Sequence, residues 1–278
     1  LRAAGAAILY TSHKLDEIAR IADRVTVLRD GRRVLTTEAT GLTEDAMAEA
    51  MVGRELSDLF PPKHQPGAEV VLEVKHLTVP GLVTDASFTL RKGEVLGFAG
   101  LVGSGRTELM EGVVGLREAT GEVAVKGKPL PRGSVMAALQ AGLVYLTEDR
   151  KEKGLLLGKP LDENLTLLAL DRFTRGLIDK PAEARALDKA IGDFDIRVGD
   201  KAMNAGNLSG GNQQKLLLAK TMLAEPDIVI IDEPTRGIDI GTKQQIYSFI
   251  NRLVAEGKSV IVISSEMPEV IGLATRVM

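Results

Sequence analysis

The 278-residue sequence contains no cysteine and no tryptophan, and aromatic residues make up only 3% of it. The absence of cysteine excludes disulfides and thiolate chemistry. The scarcity of aromatic side chains argues against a platform on which nucleic-acid bases could stack. A net charge of −3 at pH 7 gives no electrostatic reason to expect a nucleic-acid partner either.

Long apolar runs are also missing. The longest, such as IVII at 228–231 and VIVI at 260–263, are far too short to cross a bilayer. Such runs are typical of strands buried in a parallel sheet. Apolar residues still account for 44% of the chain, which is enough to bury a core.

The two ends of the sequence resemble each other. Residues 1–26 align without gaps on residues 253–278 with eight identical positions, and a duplicated unit of strand, serine and helix explains the match. We therefore interpret the chain as a fragment of a longer protein with two similar domains. In this interpretation 1–59 is the C-terminal part of the first domain, 60–68 is a linker rich in proline, and 69–278 is the second domain without its C-terminal end.

Local patterns predict the first elements of these segments. Alternating apolar residues indicate strands, and Asp-Gly between two of them indicates a tight turn. A threonine before an apolar-periodic run and a glycine after it indicate the two ends of a helix. The predicted elements are a hairpin at 25–35 around Asp30-Gly31, a helix at 43–53 capped by Thr43, strands at 70–79 and 86–100, and a helix from about Arg106 to Val114.

Residues 100–108, GLVGSGRTE, have the spacing of a phosphate-binding loop. Gly100, Gly103 and Gly105 follow an apolar strand and precede a helix, so backbone N–H groups at the helix start could surround phosphate oxygens. Arg106 stands where such loops carry lysine. Taken alone, these residues also fit a plain glycine-rich turn between a strand and a helix.

A second motif follows at 207–239, NLSGGNQQKLLLAKTMLAEPDIVIIDEPTRGID. Its LSGG places a serine and two glycines at a helix start, and its apolar strand ends in two adjacent carboxylates. Asp232 can reach Mg²⁺ through water, and Glu233 can orient an attacking water. Because the phosphate loop lies upstream of this pair, we interpret the pair as part of a phosphate site rather than as a solvated turn.

These residues resemble a known family. LSGGNQQK is similar to the signature motif of ABC transporter ATPases, and IVIIDEPTRGIDIG is similar to their Walker B strand and D-loop. With YLTEDRKEKGLLLG at 145–158, ISSEMPEV and MVGREL, the resemblance covers essentially the whole chain. It is strongest to ATP-binding subunits of bacterial monosaccharide importers of the ribose, xylose and galactose type, which carry two nucleotide-binding domains in one chain. It implies an α/β fold of the P-loop NTPase, ABC ATPase type, with a mainly parallel sheet, a helical subdomain and an antiparallel β subdomain.

The resemblance also implies residue roles. Glu233 is the implied catalytic carboxylate, and His13 occupies the switch-histidine position of the first domain. The implied Mg²⁺ positions are Thr107, Glu148 (at the Q-loop position) and Asp232. The implied nucleotide-binding residues are Gly100, Gly103, Ser104, Gly105, Arg106, Thr107, Glu148, Asn207, Ser209, Gly210, Gly211, Asp239 in the D-loop, and Ser265.

Four features of the second domain depart from the family pattern. Arg106 replaces lysine, keeping the charge but not the shape of the side chain. Glu108 replaces a second hydroxyl residue, and Ser265 aligns with His13 and so leaves this domain without a switch histidine. Residues 79–82 hold no aromatic to stack on adenine. Together these departures predict a second site that binds nucleotide but hydrolyses it slowly or not at all.

The function implied by the resemblance is that of an ATP-hydrolysing subunit, with ATP and Mg²⁺ as cofactors, that drives monosaccharide import. Its implied location is the cytoplasmic face of the cell membrane, where it would be peripheral and bound to transmembrane permease subunits, with an extracytoplasmic sugar-binding protein as an indirect partner. The charged stretch 148–154 is expected to face the permease. The 278 residues alone are expected to have little activity.

Three alternatives stay open on the sequence. A nucleoside or autoinducer importer would carry a very similar ATPase subunit. A soluble ABC ATPase of translation or DNA repair would need basic linkers or coiled-coil insertions, which this sequence does not show. A purely regulatory nucleotide-binding module is the third alternative.

Overall fold

The computed structural model describes residues 1–12, 15–29, 31–52, 60–101 and 103–278. The chain divides into two compact units, which are Leu1–Phe60 with Ile238–Gln245, and Pro61–Gly237 with Ile246–Met278. Among the described residues, no helix is both long enough and apolar enough to cross a membrane.

Regular elements occur in both units. The α-helices are α1 Leu15–Ile21, α2 Glu44–Val52, α3 Arg106–Val113, α4 Val135–Gln140, α5 Leu161–Thr166, α6 Lys180–Asp193, α7 Gly210–Leu223, α8 Ile240–Ala255 and α9 Met267–Leu273. The strands are β1 Arg24–Arg29, β2 Arg32–Glu38, β3 Val70–Val79, β4 Val83–Arg91, β5 Val95–Ala99, β6 Thr120–Val125, β7 Lys128–Pro129, β8 Leu143–Leu146, β9 Thr174–Arg175, β10 Leu177–Ile178, β11 Ile228–Asp232, β12 Ser259–Ser264 and β13 Arg276–Val277.

The first unit contains the predicted hairpin and helix. Strands β1 and β2 pair antiparallel, and helix α2 follows them. The Thr43 hydroxyl accepts a hydrogen bond from the Ala46 N–H at 3.2 Å, so Thr43 caps α2 as predicted. Met47 on α2 packs with Val25 and Val27 of β1 in a small core. Asp30 of the predicted turn and Gly53, the predicted end of the helix, lie outside the described residues.

The second unit is built on a five-stranded sheet in the order β13-β5-β12-β11-β8. All its neighbouring strands are parallel. Every residue of β11 and of β12 is buried, which confirms the prediction from the apolar runs. Because strands of a parallel sheet are covered on both faces, their sequence is apolar throughout instead of alternating.

A four-stranded antiparallel sheet in the order β4-β3-β6-β7 packs on the same core. The single strand predicted at 86–100 is wrong: this segment forms the end of β4, a turn and then β5. The chain reverses at Gly93, whose φ of +69° favours glycine, and the Arg91 N–H donates to the Glu94 carboxylate at 2.7 Å across the turn. Strands β4 and β5 therefore belong to different sheets, and Phe88 meets Phe98 edge to face between them.

Helices α5, α6 and α7 pack together to form a helical part of this unit. Helices α5 and α6 are joined by a buried hydrogen bond, in which the Glu183 carboxylate accepts from the Thr166 hydroxyl at 2.5 Å. The α/β architecture with a parallel sheet, an antiparallel sheet and a helical part therefore agrees with the prediction from the sequence.

The proposed linker 60–68 has no helix or strand. Two of its residues are tied to the second unit: the Lys63 ammonium donates to the Ile271 carbonyl at 2.7 Å, and the Gly67 N–H donates to the Lys92 carbonyl at 2.8 Å. The division into compact units falls at Phe60 and Pro61. The exact role of 60–68 as a linker stays a prediction.

Candidate nucleotide-binding site

The glycine loop connects β5 to α3 at the carboxyl edge of the parallel sheet. Gly103 and Gly105 have φ values of +83° and +87°, which L side chains rarely adopt. A Cβ atom on Gly105 would lie only 2.9 Å from the Leu82 carbonyl oxygen, so the loop packs closely against the start of β4. Ser104 is exposed, and its N–H donates to the Leu101 carbonyl at 3.1 Å.

Arg106, the first residue of α3, directs its guanidinium to two backbone carbonyls. Nη1 donates to the Ser264 carbonyl at 2.5 Å, and Nη2 donates to the Leu101 carbonyl at 3.2 Å. The side chain passes close to Gly100, because a Cβ atom there would lie 3.4 Å from Arg106 Cδ. Because this residue is arginine and not lysine, a planar guanidinium with several N–H donors lies across the loop.

Thr107, Asp232 and Tyr145 meet beside this loop. The Thr107 hydroxyl donates to Asp232 Oδ2 at 2.7 Å, and the Tyr145 hydroxyl donates to the same oxygen at 2.8 Å. Asp232 is fully buried at the end of β11, and no described residue hydrogen-bonds its Oδ1. A buried carboxylate oxygen without a partner is costly, so this atom calls for a cation or a donor.

The electrostatics of this group follow from burial. Burial raises the pKa of Asp232 to about 6, although the hydrogen bonds from Thr107 and Tyr145 act in the opposite direction. The charges of Glu148 and Glu233 add to the rise, which means that these carboxylates lie near enough to interact with Asp232. Burial also raises the pKa of Tyr145, so its hydroxyl stays protonated and donates to Asp232.

Glu233 follows β11 with a φ of +47°, a conformation that is uncommon for a residue with a side chain. Its two carboxylate oxygens are held by one residue. The Ser265 N–H donates to Oε1 at 2.7 Å, and the Ser265 hydroxyl lies 3.2 Å from Oε2. Ser265, which aligns with His13 in the sequence, therefore contacts the proposed catalytic carboxylate directly.

A second carboxylate supports the chain just after Glu233. Glu269 on α9 is buried, and it accepts a hydrogen bond from the Thr235 hydroxyl at 2.7 Å. Ser264 and Tyr247 also hydrogen-bond to this carboxylate. The loop after β11 is thus fixed to α9, which restricts where the Glu233 side chain can go.

Glu148 is paired with a residue that the sequence did not single out. Its Oε2 accepts from Arg236 Nη1 at 2.5 Å, and Arg150 Nη1 donates to the Arg236 carbonyl at 3.1 Å. Arg150 belongs to a π-helical turn, Arg150–Gly154, which Asp149 caps through its side chain. A Cβ atom on Gly210 would lie 2.9 Å from Arg150 Nη2, so this arginine lies against the start of α7.

The signature-like residues lie at and before the start of α7. The Ser209 hydroxyl accepts hydrogen bonds from the Asn212 N–H at 3.4 Å and from the Asn212 side chain at 3.1 Å, so Ser209 caps the helix. Gly210 and Gly211 form the first turn of α7. Asn207 is exposed at the end of a short 3₁₀ turn. The predicted helix start at LSGG is therefore confirmed.

Two further site residues were predicted from the sequence, Asp239 and His13. Asp239 belongs to the first unit and caps α8, since its carboxylate accepts from the Thr242 N–H at 3.0 Å and from the Thr242 hydroxyl at 2.8 Å. His13 lies outside the described residues. The nucleotide-contacting role of Asp239 and the catalytic role of His13 stay predictions.

Some residues of this site were predicted from the sequence, and others were not. Hydrogen bonds join Thr107 to Asp232, Arg106 to the Ser264 carbonyl, and Ser265 to Glu233. Tyr145 was missed because its contact with Asp232 depends on the register of β8 against β11, in which Tyr145 pairs with Ile230. Arg236 and Glu269 were missed because only the folded backbone brings them to their partners.

The family of the chain follows from comparison with known proteins. The family model described as "ABC transporter" matches residues 83–236, which is more than half of the chain. These residues contain the glycine loop, the start of α7 and the adjacent carboxylates Asp232 and Glu233. The chain belongs to the ABC transporter family.

Several curated proteins are similar to the chain over its whole length. The chain is 44% identical over 281 residues to the ribose import ATP-binding protein RbsA of Clostridium perfringens, covering 100% of this chain and 56% of that protein. It is 46% identical over 280 residues to RbsA 2 of Rubrobacter xylanophilus, covering 100% and 54%. It is 43% identical over 283 residues to the galactose/methyl galactoside import ATP-binding protein MglA of Clostridium tetani, covering 100% and 56%. The chain thus spans about half the length of the curated relatives it matches.

Solved structures support the fold. The dimeric structure of MJ0796, a bacterial ABC transporter cassette, matches with a TM-score of 0.64 at 20% identity, covering 74% of this chain and 93% of that chain. A nucleotide-free ATP-binding cassette from an ABC transporter matches with a TM-score of 0.61 at 20% identity, covering 75% and 86%. The predicted fold of the ABC ATPase type is confirmed.

Proposed function

We propose that the protein is an ATP-binding and ATP-hydrolysing subunit that drives import of a monosaccharide. The observation that carries this proposal is the hydrogen-bonded group of Thr107, Asp232 and Tyr145 beside the glycine loop, with Glu233 next in sequence. The names of the relatives, which are import ATP-binding proteins for ribose, xylose and galactose, support the choice of a sugar.

ATP and Mg²⁺ fit the residues present. The fully buried Asp232 has an unpartnered Oδ1, and the Thr107 hydroxyl lies beside its other oxygen. These two residues would hold Mg²⁺, with phosphate oxygens completing its shell. When bound, the ion would neutralise charge on the phosphates. Among the described residues no three acidic, histidine or cysteine side chains form a metal cluster, so the site depends on the nucleotide for ligands.

The remaining residues have distinct tasks in this proposal. Backbone N–H groups at the start of α3 bind phosphate, and Glu233 accepts a proton from the attacking water. Glu148 would have to leave Arg236 in order to approach the ion. The site is slow in this proposal because Ser265, unlike a histidine, brings no positive charge to the developing phosphate charge.

The partners belong to the proposal as well. We infer that transmembrane permease subunits bind the protein at the cytoplasmic face of the membrane, and that an extracytoplasmic sugar-binding protein acts through them. Residues 1–59 would then be part of a first nucleotide-binding domain, 60–68 a linker and 69–278 a second domain. Both units contain a related serine and glutamate pair, which supports the duplication: Ser12 with Glu17, and Ser264 with Glu269.

The test is ATPase activity of the full-length protein assembled with its permease in lipid vesicles. A sugar-binding protein loaded with ribose, xylose or galactose should stimulate phosphate release, and a nucleoside-loaded binding protein should not. Glu233→Gln alters only the second site. The ATPase activity that this site contributes should therefore fall by about 10²-fold or more. Stimulation by a nucleoside and by none of the sugars would contradict the proposed substrate class.

A further inference from the structure

Arg106 and Glu233 form hydrogen bonds with the same peptide group. The carbonyl of the Ser264–Ser265 peptide accepts a hydrogen bond from Arg106 Nη1 at 2.5 Å. The N–H of that peptide donates to Glu233 Oε1 at 2.7 Å. A peptide bonded at both ends is polarised, so each of the two hydrogen bonds strengthens the other.

The other end of the Arg106 guanidinium is fixed to the phosphate loop. Nη2 donates to the Leu101 carbonyl at 3.2 Å, and the side chain passes within van der Waals distance of the Cβ position of Gly100. The fork of a guanidinium can serve two acceptors in fixed directions at once, which the single ammonium of a lysine does less well. Arginine at this position therefore joins the loop to the end of β12.

We infer that Arg106 is a strut that holds the phosphate loop and Glu233 in place without nucleotide, and that an incoming phosphate competes with the Ser264 carbonyl for its guanidinium. This inference rests on the proposed function, because it assumes that the loop takes nucleotide. In that role Arg106 is a positioning residue: phosphate at the loop loosens the peptide that restrains Glu233. The arginine also lowers nucleotide affinity, because the carbonyl contacts must be given up first.

The test compares Arg106→Lys with the unchanged protein and with Arg132→Lys, which alters an exposed arginine in the turn before α4. Without nucleotide, the Tm of Arg106→Lys should fall by about 2–4 °C, the shift expected for loss of about 1 kcal/mol in a chain of this size. Its Kd for Mg·ATP, measured with a fluorescent adenine nucleotide as competitor, should be at least about 5-fold tighter, or about 1 kcal/mol. Arg132→Lys should change neither value.

Amide hydrogen exchange at Ser265 provides a readout that a general loss of stability would not reproduce. In Arg106→Lys without nucleotide, the Ser265 N–H should exchange at least about 5-fold faster relative to buried amides of β12, because the polarising bond to its own peptide is weakened. Saturating Mg·ATP should produce the same local acceleration in the unchanged protein.

Three results would overturn the inference. An unchanged Tm and unchanged Ser265 exchange in Arg106→Lys would show that there is no strut. Weaker Mg·ATP binding in Arg106→Lys would make Arg106 an ordinary phosphate ligand. If neither the unchanged protein nor any variant binds Mg·ATP, competition by phosphate is ruled out and the proposed function fails with it, while Tm and exchange still decide whether the strut exists.

Discussion

Glu269 shows how one buried carboxylate can make stability depend on pH. It is 2% exposed, and burial raises its pKa above the ordinary value despite hydrogen bonds from Ser264, Thr235 and Tyr247. The folded protein therefore keeps this proton at pH values where the unfolded chain has lost it. Its contribution to stability is largest below the ordinary carboxyl pKa and is lost as the pH rises through the raised pKa.

Glu269→Gln should remove this dependence, because glutamine resembles the protonated acid at every pH. We expect the free energy of unfolding of the variant to gain on that of the unchanged protein as the pH rises through the raised pKa, with no such gain in more acidic buffers. Urea unfolding at a series of pH values from 4 to 8 measures the difference. A difference that stays constant across the series would contradict the expectation.

Glycine can be required at a position because of a positive φ or because a side chain would collide, and Gly103 and Gly105 differ in the second respect. Both have a positive φ, but only at Gly105 would a Cβ atom collide, 2.9 Å from the Leu82 carbonyl, whereas at Gly103 nothing lies within 4 Å. Gly103→Ala should cost about 1–2 kcal/mol of unfolding free energy through backbone strain alone. Gly105→Ala should cost at least about 1 kcal/mol more through overpacking. Equal losses in urea unfolding would mean that the contact with Leu82 relaxes freely.

At the scale of elements, Gly97 allows α9 to pack directly on β5. A Cβ atom on Gly97 would lie 2.5 Å from Val270 Cγ1 and 2.8 Å from the Ala274 Cβ, so the helix lies against the bare backbone of the strand. This close approach brings Glu269, next to Val270, under the loop that follows β11. The helix therefore supports the position of Thr235 and, through it, of Glu233.

Gly97→Ala should push α9 away from the sheet and cost about 1–3 kcal/mol of unfolding free energy. Val270→Ala removes one of the two colliding side chains, so the double variant should be more stable than the sum of the single losses predicts, by at least about 0.5 kcal/mol. Urea unfolding of the four proteins completes the cycle. Strict additivity would show that Gly97 and Val270 are not in contact in solution.

Some elements of the fold and some contacts of the site could be predicted from the sequence. The runs at 228–231 and 260–263 predicted buried strands correctly, because strands covered on both faces need apolar residues at every position. The family resemblance implied that Thr107 and Asp232 share an Mg²⁺ position, and a hydrogen bond joins their side chains. Tyr145 was not predicted, because its contact depends on the register of β8 against β11, and local periodicity does not encode that register.

At the scale of the whole molecule, Glu148 would, under the proposed function, link the nucleotide site to a bound partner. Its charge acts on Asp232, and its carboxylate is paired with Arg236, whose carbonyl is in turn held by Arg150. Arg150 also lies against Gly210 at the start of α7. A change of charge at Asp232 can therefore act on Glu148, and contacts lead from Glu148 through Arg236 and Arg150 to the π-helical turn and to α7.

Under the proposed function, Glu148→Ala and Arg236→Ala should each uncouple transport from hydrolysis in the full-length protein assembled with a permease. The exposed ion pair itself contributes little to stability, so folding should be preserved. We expect sugar uptake to fall about 5-fold or more, in the range of common coupling free energies, while basal ATPase activity changes less. The double variant should be no worse than either single variant, because both remove the same contact.

Glu163→Ala, which breaks the exposed pairs with Lys159 and Lys180, is the control and should leave uptake unchanged. Uptake and ATPase activity measured in the same vesicles decide the outcome: parallel loss of both activities would assign Glu148 a purely catalytic role.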